Sequence, residues 1–214
     1  MKNPLLKLSW LLMSSLALYL FSITWVYFSF RSDVNFLLSK PVDLVHFLPW
    51  RIAFYLHITG AMFALAVGPF QFLTGLKVKF KKVHRIIGYI YVLGILLLAG
   101  PAGFFMSFFA SGGVGSKIAF GVLSIAWVTT TWLGLKTILQ KKIPEHRAWM
   151  IRSYALTFAA VTLRLWTPIL SVGFNFSEAE TLAIVPWLAW IPNLLVAEWL
   201  IRRKKATSEL GKGS

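Results

Sequence analysis

The sequence predicts an all-α integral membrane protein, a bundle of about six transmembrane helices with both termini in the cytoplasm. Three observations predict it. Apolar residues make up 57% of the chain and charged residues 14%, against about 45–50% and roughly 25% in soluble domains. The apolar residues come in runs rather than amphipathic stripes, each near the length, about 20 residues, that a helix needs to cross a bilayer. The basic residues gather in short loops between those runs, which is the pattern that orients membrane helices. One transmembrane domain therefore accounts for all 214 residues.

The first span is expected at 8–30, after the short basic start that holds Lys2 and Lys7. Its apolar core is longer than a signal peptide's and ends in Trp25, Tyr27, Phe28 and Phe30, so it reads as an uncleaved anchor. The other spans are expected at 52–76, 86–109, 118–139, 148–172 and 182–201. The segment 31–50, with Pro41 and Pro49, is the one long connection and is expected along the outer surface. Residues 206–214 read as a frayed polar tail.

Loop charges set the orientation. Sixteen Lys and Arg lie at the N-terminus, in 77–85, in 136–147 and in the tail, while Arg31, Lys40, Arg51 and Lys117 are on the other side. The positive-inside bias then puts both termini and both basic loops in the cytoplasm. Trp50, Trp187 and Trp190 near the outer face, with Trp149 and Trp199 near the inner, read as interfacial anchors. The net charge of +15 has the distribution of a membrane protein facing anionic lipid headgroups, not of a nucleic-acid binder. With no cysteine, disulfides and thiolate chemistry are excluded.

The two inner loops echo one another. Gly75-Leu76-Lys77 is followed by Lys81-Lys82-Val83-His84-Arg85, and Gly134-Leu135-Lys136 by Lys141-Lys142-Ile143-Pro144-Glu145-His146-Arg147. The echo suggests a duplicated helical hairpin, spans two–three and four–five, against the plainer account that any short cytoplasmic loop is basic. His57, His84 to Tyr91 (His-Arg-Ile-Ile-Gly-Tyr-Ile-Tyr), His146 to Tyr154 (His-Arg-Ala-Trp-Met-Ile-Arg-Ser-Tyr) and Arg164 also carry a resemblance. Over roughly residues 50–170 the chain resembles a family of predicted bacterial membrane proteins, domain of unknown function 2306. That resemblance implies a membrane fold and supplies no activity.

Ionisable groups inside a bilayer are expensive, so His57, Arg152, Arg164 and Glu198 each call for a reason. His57 shares a helix face with Gly60, Ala64, Gly68 and Gln71, and small residues at that spacing admit a neighbouring helix. His57 is thus expected to face protein, either bonded to a neighbouring backbone or binding a ligand. In the fifth span His146, Ser153, Thr157, Ala160 and Arg164 share a polar face if the helix is continuous. Arg152 is expected to snorkel, and Glu198 to pair with Arg152 or Arg202. Thr129, Thr130 and Thr131 read as interhelical hydrogen-bonding residues.

Two candidate sites follow. At the inner surface His84 and His146 are candidate axial ligands of a haem b iron, with Arg85 and Arg147 for its carboxylates. The alternative there is that both histidines cap their helices. In the outer third, His57 with Arg164 suggests a pocket for a quinone or a small anionic ligand, and Gln71 and Arg152 are further candidate ligand-binding residues. The leading function is accordingly haem-binding or quinone-linked redox. The alternatives are a small transporter or ligand-binding bundle, and a structural or assembly protein. No His-Glu-x-x-His motif or Gly-x-Ser-x-Gly elbow is present. Gly112-Gly113-Val114-Gly115 reads as an outer turn.

Overall fold

The computed structural model describes residues 4–31, 33–73 and 78–210. Among these there is no strand. Six helical stretches are long and apolar enough to cross a membrane: Trp10–Ser29, Leu48–Phe72, Lys81–Ser107, Gly113–Leu139, Ile143–Gly173 and Glu178–Lys204. The third, fifth and sixth begin ahead of the apolar runs expected from 86, 148 and 182. Hydropathy reports the solvent a residue prefers, whereas Lys81, Lys82 and Arg85 are good helix formers whatever surrounds them. The Gly75-Leu76-Lys77 half of the loop echo and the inner end of the second span, 74–76, lie outside the described residues.

The chain divides into two compact units, Met1–Phe109 and Ala110–Ser214. In the first, the second span is central: the first span and the whole of the third pack on it. Trp10 donates its indole N–H to the Pro69 carbonyl at 2.9 Å, tying the first span to the end of the second. The third span is interrupted by a π-helical segment, Gly94–Ala99, directly before Gly100-Pro101. Proline has no N–H to donate, and the ladder of main-chain bonds is rearranged there.

The segment 31–50 is folded. It contains a 3-10 turn, Asn35–Ser39, and a short helix, Val42–His46. Leu37 and Val45 are buried, and Tyr27, Leu37, Trp50 and Phe54 form a cluster. The Phe36 N–H donates to the Tyr27 hydroxyl at 3.2 Å. Trp50, expected as an interfacial anchor, is 1% exposed and stacks on Phe54 at 5.5 Å. The bulk of an indole serves a core as well as an interface, and position near a span end does not distinguish them.

In the second unit the fourth and fifth spans lie along one another, and the sixth packs on both. Gly112 takes φ +94°, and a Cβ there would stand 2.5 Å from the Leu182 carbonyl oxygen. Only glycine satisfies both the left-handed turn and that approach. Ser116 completes the crossing by donating to the same oxygen at 2.6 Å.

The fifth span is broken at Phe158, between Ile143–Thr157 and Ala159–Pro168, and closes in a π-helical segment, Ile169–Gly173. Thr157 and Thr162 donate back to the Ser153 and Phe158 carbonyls on the two sides of the break, a bonding pattern that bends helices. The sixth span begins with a capping box. Glu180 N–H donates to Ser177 Oγ at 3.3 Å, and Ser177 N–H to Glu180 Oε2 at 2.9 Å. This span breaks between Leu188 and Ile191 and continues as helix to Leu210, so the tail expected to fray from 206 stays helical that far.

Candidate functional site

His57 lies on the face expected to meet protein, with Gly60, Ala64 and Gly68 buried beside it. What it meets is the π-helical segment of the third span. Its Nδ1 is 2.8 Å from the Ala99 carbonyl oxygen. The helices approach so closely here that a Cβ on Gly60 would come within 2.9 Å of Ala99 N. A carbonyl only accepts, so Nδ1 carries the hydrogen, and in the neutral ring Nε2 is the nitrogen with the lone pair. The tautomer of His57 follows from its neighbour.

His146 repeats this arrangement in the second unit. Its Nδ1 is 2.8 Å from the carbonyl oxygen of Gly134 on the fourth span, again leaving Nε2 as the base. A Cβ on Gly134 would stand 2.6 Å from Met150 Sδ, a side chain flexible enough to swing aside. His84 and His146 occupy corresponding places, each the fourth residue of its helix, counting from Lys81 and from Ile143. Both are half-buried, and Arg85 and Arg147, the next residues, are exposed. The His84 carbonyl accepts from Gln71 Nε2 at 3.2 Å, so Gln71 bridges the second and third spans.

His57, Gln71, His84 and Arg85 thus belong to the first unit, and His146, Arg147, Arg152 and Arg164 to the second. Arg164 is exposed and donates to the Ala160 carbonyl of its own helix at 2.9 Å. The polar face of the fifth span runs against the fourth as far as the break at Phe158. Ser153 Oγ and Thr131 Oγ1 are 2.7 Å apart, and Trp127 Nε1 donates to Thr157 Oγ1 at 2.8 Å. Thr131 is interhelical as expected, whereas Thr130 bonds back to Ala126 and Trp127.

Arg152 does not reach out as a lone snorkelling cation. Its guanidinium forks both oxygens of Glu198, the Nη2–Oε2 arm measuring 2.9 Å, and stands 4.6 Å from the centre of the Trp149 ring. Of the two partners open to Glu198, this is the one it takes.

Sequence reasoning passed over Asn193, because an amide is not ionisable. Its Nδ2 donates to Ala189 O at 2.9 Å, Thr162 Oγ1 at 3.0 Å and Ala155 O at 3.2 Å. The neighbouring Pro192 frees the Leu188 carbonyl, four residues back, and not those that Asn193 serves, so no sequence signal marked it. Among the described residues, no cluster of three or more His, Cys, Asp or Glu side chains is assembled to hold a metal ion unaided.

A family model described as predicted membrane protein (DUF2306) matches residues 54–201. The match takes in the second to sixth spans with every candidate residue named above, so it extends beyond the 50–170 stretch that carries the resemblance. No curated protein and no solved structure matches the chain.

Proposed function

The chain belongs to the DUF2306 family of predicted membrane proteins, and we propose that it is a haem-binding or quinone-linked redox protein of the membrane. The observation that supports this reading is the bond from His146 Nδ1 to the Gly134 carbonyl. A histidine that binds a metal through one nitrogen ordinarily donates the other N–H to a carbonyl or carboxylate, which fixes the ring and raises its basicity. An imidazole held in this way beside a guanidinium group suits a haem, which supplies one-electron chemistry when bound.

In this reading His146 would ligate the iron, and Arg147 would pair with a haem carboxylate in forked hydrogen bonds. The basic residue count supports cytoplasmic termini. The matching fourth-residue positions of His84 and His146 support an origin of the two hairpins by duplication.

An absorbance spectrum of the purified full-length chain, oxidised and then reduced with dithionite, tests the reading. A Soret band that sharpens on reduction is expected. His146→Ala is expected to lose most of the bound haem while its circular dichroism stays that of the wild type. A featureless spectrum from cells supplied with haem sinks the proposal.

A second reading is favoured by His57. Its ring is fixed beside a π-helical segment, a feature frequently found at functional sites. Here the chain is a ligand-binding or transporting bundle in which His57 holds a small anionic ligand. Organic anions are then expected to raise the melting temperature of the wild type and to lose that effect in His57→Ala. An anion response that persists in that variant overturns it.

A further inference from the structure

The first span carries hydroxyl groups on the wrong side for a helix that meets only lipid there. It packs on the second span, and its buried residues Ser14, Ala17 and Leu20 share one side. On the opposite side Leu8, Ser15 and Ser22 recur every seven residues, with Leu12 and Tyr19 beside them, and all five are exposed. A seven-residue repeat is the spacing that keeps one face in register along two helices wound about each other. Tyr19 is 61% exposed and lies midway between Trp10 and Ser29, the ends of the span. That is about 15 Å from either end, the centre of a bilayer core about 30 Å thick. Among the described residues the Tyr19 and Ser15 hydroxyls have no hydrogen-bond partner, whereas those of Ser22 and Thr24 donate back to their own helix. Tyrosine in a membrane ordinarily keeps its hydroxyl at the wet edge. At this depth another helix has to bring the acceptor.

Symmetry narrows which helix that is. Copies of one chain insert with the same orientation, so the axis that relates two of them is the membrane normal, and like residues meet at equal depth. A long side chain on a helix leans back over the preceding turn, which brings the Tyr19 hydroxyl to the level of Ser15. The face is therefore self-complementary, with a donor and, one turn earlier, an acceptor at the same height. Ser15 and Ser22 are also small enough to let two backbones approach, and hydroxyls bond across such contacts. The family match begins at residue 54, so this span is an addition to the matched stretch, and no candidate site residue lies on it.

We propose that two copies of the chain pair through this face of their first spans, the Tyr19 hydroxyl of each donating to Ser15 Oγ of the other. The pairing rests on neither the haem nor the anion reading.

The chain has no cysteine, so a single introduced thiol reports on its own position. In native membranes treated with copper phenanthroline, Ser15→Cys and Ser22→Cys are expected to form a disulfide-linked species of twice 24.2 kDa. Ala17→Cys, on the side that is 0% exposed, and Leu97→Cys, 66% exposed on the third span, are expected to stay monomeric. Tyr19→Phe keeps the ring and removes two symmetry-related bonds. Placed in the Ser22→Cys chain and diluted with lipid, it should weaken the dimer roughly tenfold at the strength measured for such bonds. Absence of the dimer at both 15 and 22 overturns the proposal, and so does linkage at Leu97→Cys as fast as at either. An adduct of any other mass assigns the face to a different protein and also overturns it. A dimer fraction unchanged by Tyr19→Phe removes the hydroxyl from the interface, and with it the proposed pairing.

Discussion

Glu198→Ala is expected to destabilise the protein more than any other single change to a charged residue. Arg152 and Glu198 both lie within helices of membrane-spanning length, at 21% and 32% side-chain exposure. Removing the carboxylate leaves a guanidinium that has lost two charge-assisted hydrogen bonds where water competes poorly. Breaking a buried pair from one side costs about 3–5 kcal/mol. The lower end applies here, because Arg152 keeps the Trp149 ring and its long stem can seek the interface. Glu198→Gln, which keeps an acceptor of the same shape, should lose less. The double variant Arg152→Met with Glu198→Leu tests the cause, since replacing both charges by apolar groups is often neutral or better. The double variant should therefore melt above Glu198→Ala in detergent. If it melts below, the pair is not what holds the fifth and sixth spans together.

The six spans were legible because run length is a direct consequence of bilayer thickness, and no local interaction has to be guessed to read it. Their ends were less so. Lys81, Lys82 and Arg85 are helical although polar, and the sixth span starts at Glu178 through a Ser177–Glu180 capping box that the sequence displays. Reading that box would have moved Trp190 from the interface to the interior. Gly100-Pro101 and Pro168 marked two discontinuities, but a missing N–H does not say whether the helix will kink, stop or widen into a π-turn.

The candidate residues divide along the same line. The buried face of His57 could be read from Gly60, Ala64 and Gly68 at helical spacing, and the Arg152–Glu198 pair from the cost of leaving either charge alone. The acceptors of His57 and His146 could not be read, because both are main-chain carbonyls, and every residue carries one. The polar face of the fifth span was extrapolated through a continuous helix to Arg164. The break at Phe158 interrupts it, and the Thr157 hydroxyl, which belongs to that face, bonds back to the Ser153 carbonyl beside the turn.

Gly60→Ala is expected to be the most damaging of the small substitutions. Two effects of opposite sign meet there. Alanine is the better helix former by about 1 kcal/mol, while forcing a methyl into a close-packed contact costs about 1–3 kcal/mol and occasionally more. The new Cβ would fall on the Gly94 carbonyl oxygen and stand 2.9 Å from Ala99 N and 3.0 Å from Ala99 Cβ. Two of those three are main-chain atoms that cannot swing aside, so the steric term wins and the melting temperature falls. Gly115→Ala supplies the opposite case. Nothing lies within 4 Å of a Cβ there, and the change should be neutral or stabilising by up to about 1 kcal/mol. The consequence for the site is specific. Ala99 supplies two of the three atoms that the Gly60 methyl would strike, and also the oxygen that fixes the His57 ring. A displacement of Ala99 that relieves the clash therefore lengthens the His57 bond and frees its tautomer. Gly60→Ala should for that reason weaken the anion response of His57 as well as the fold. A variant as stable as the wild type would mean that the helices do not cross this closely. The assignment of Nε2 as the basic nitrogen of His57 would then lose its support, because it depends on the same approach.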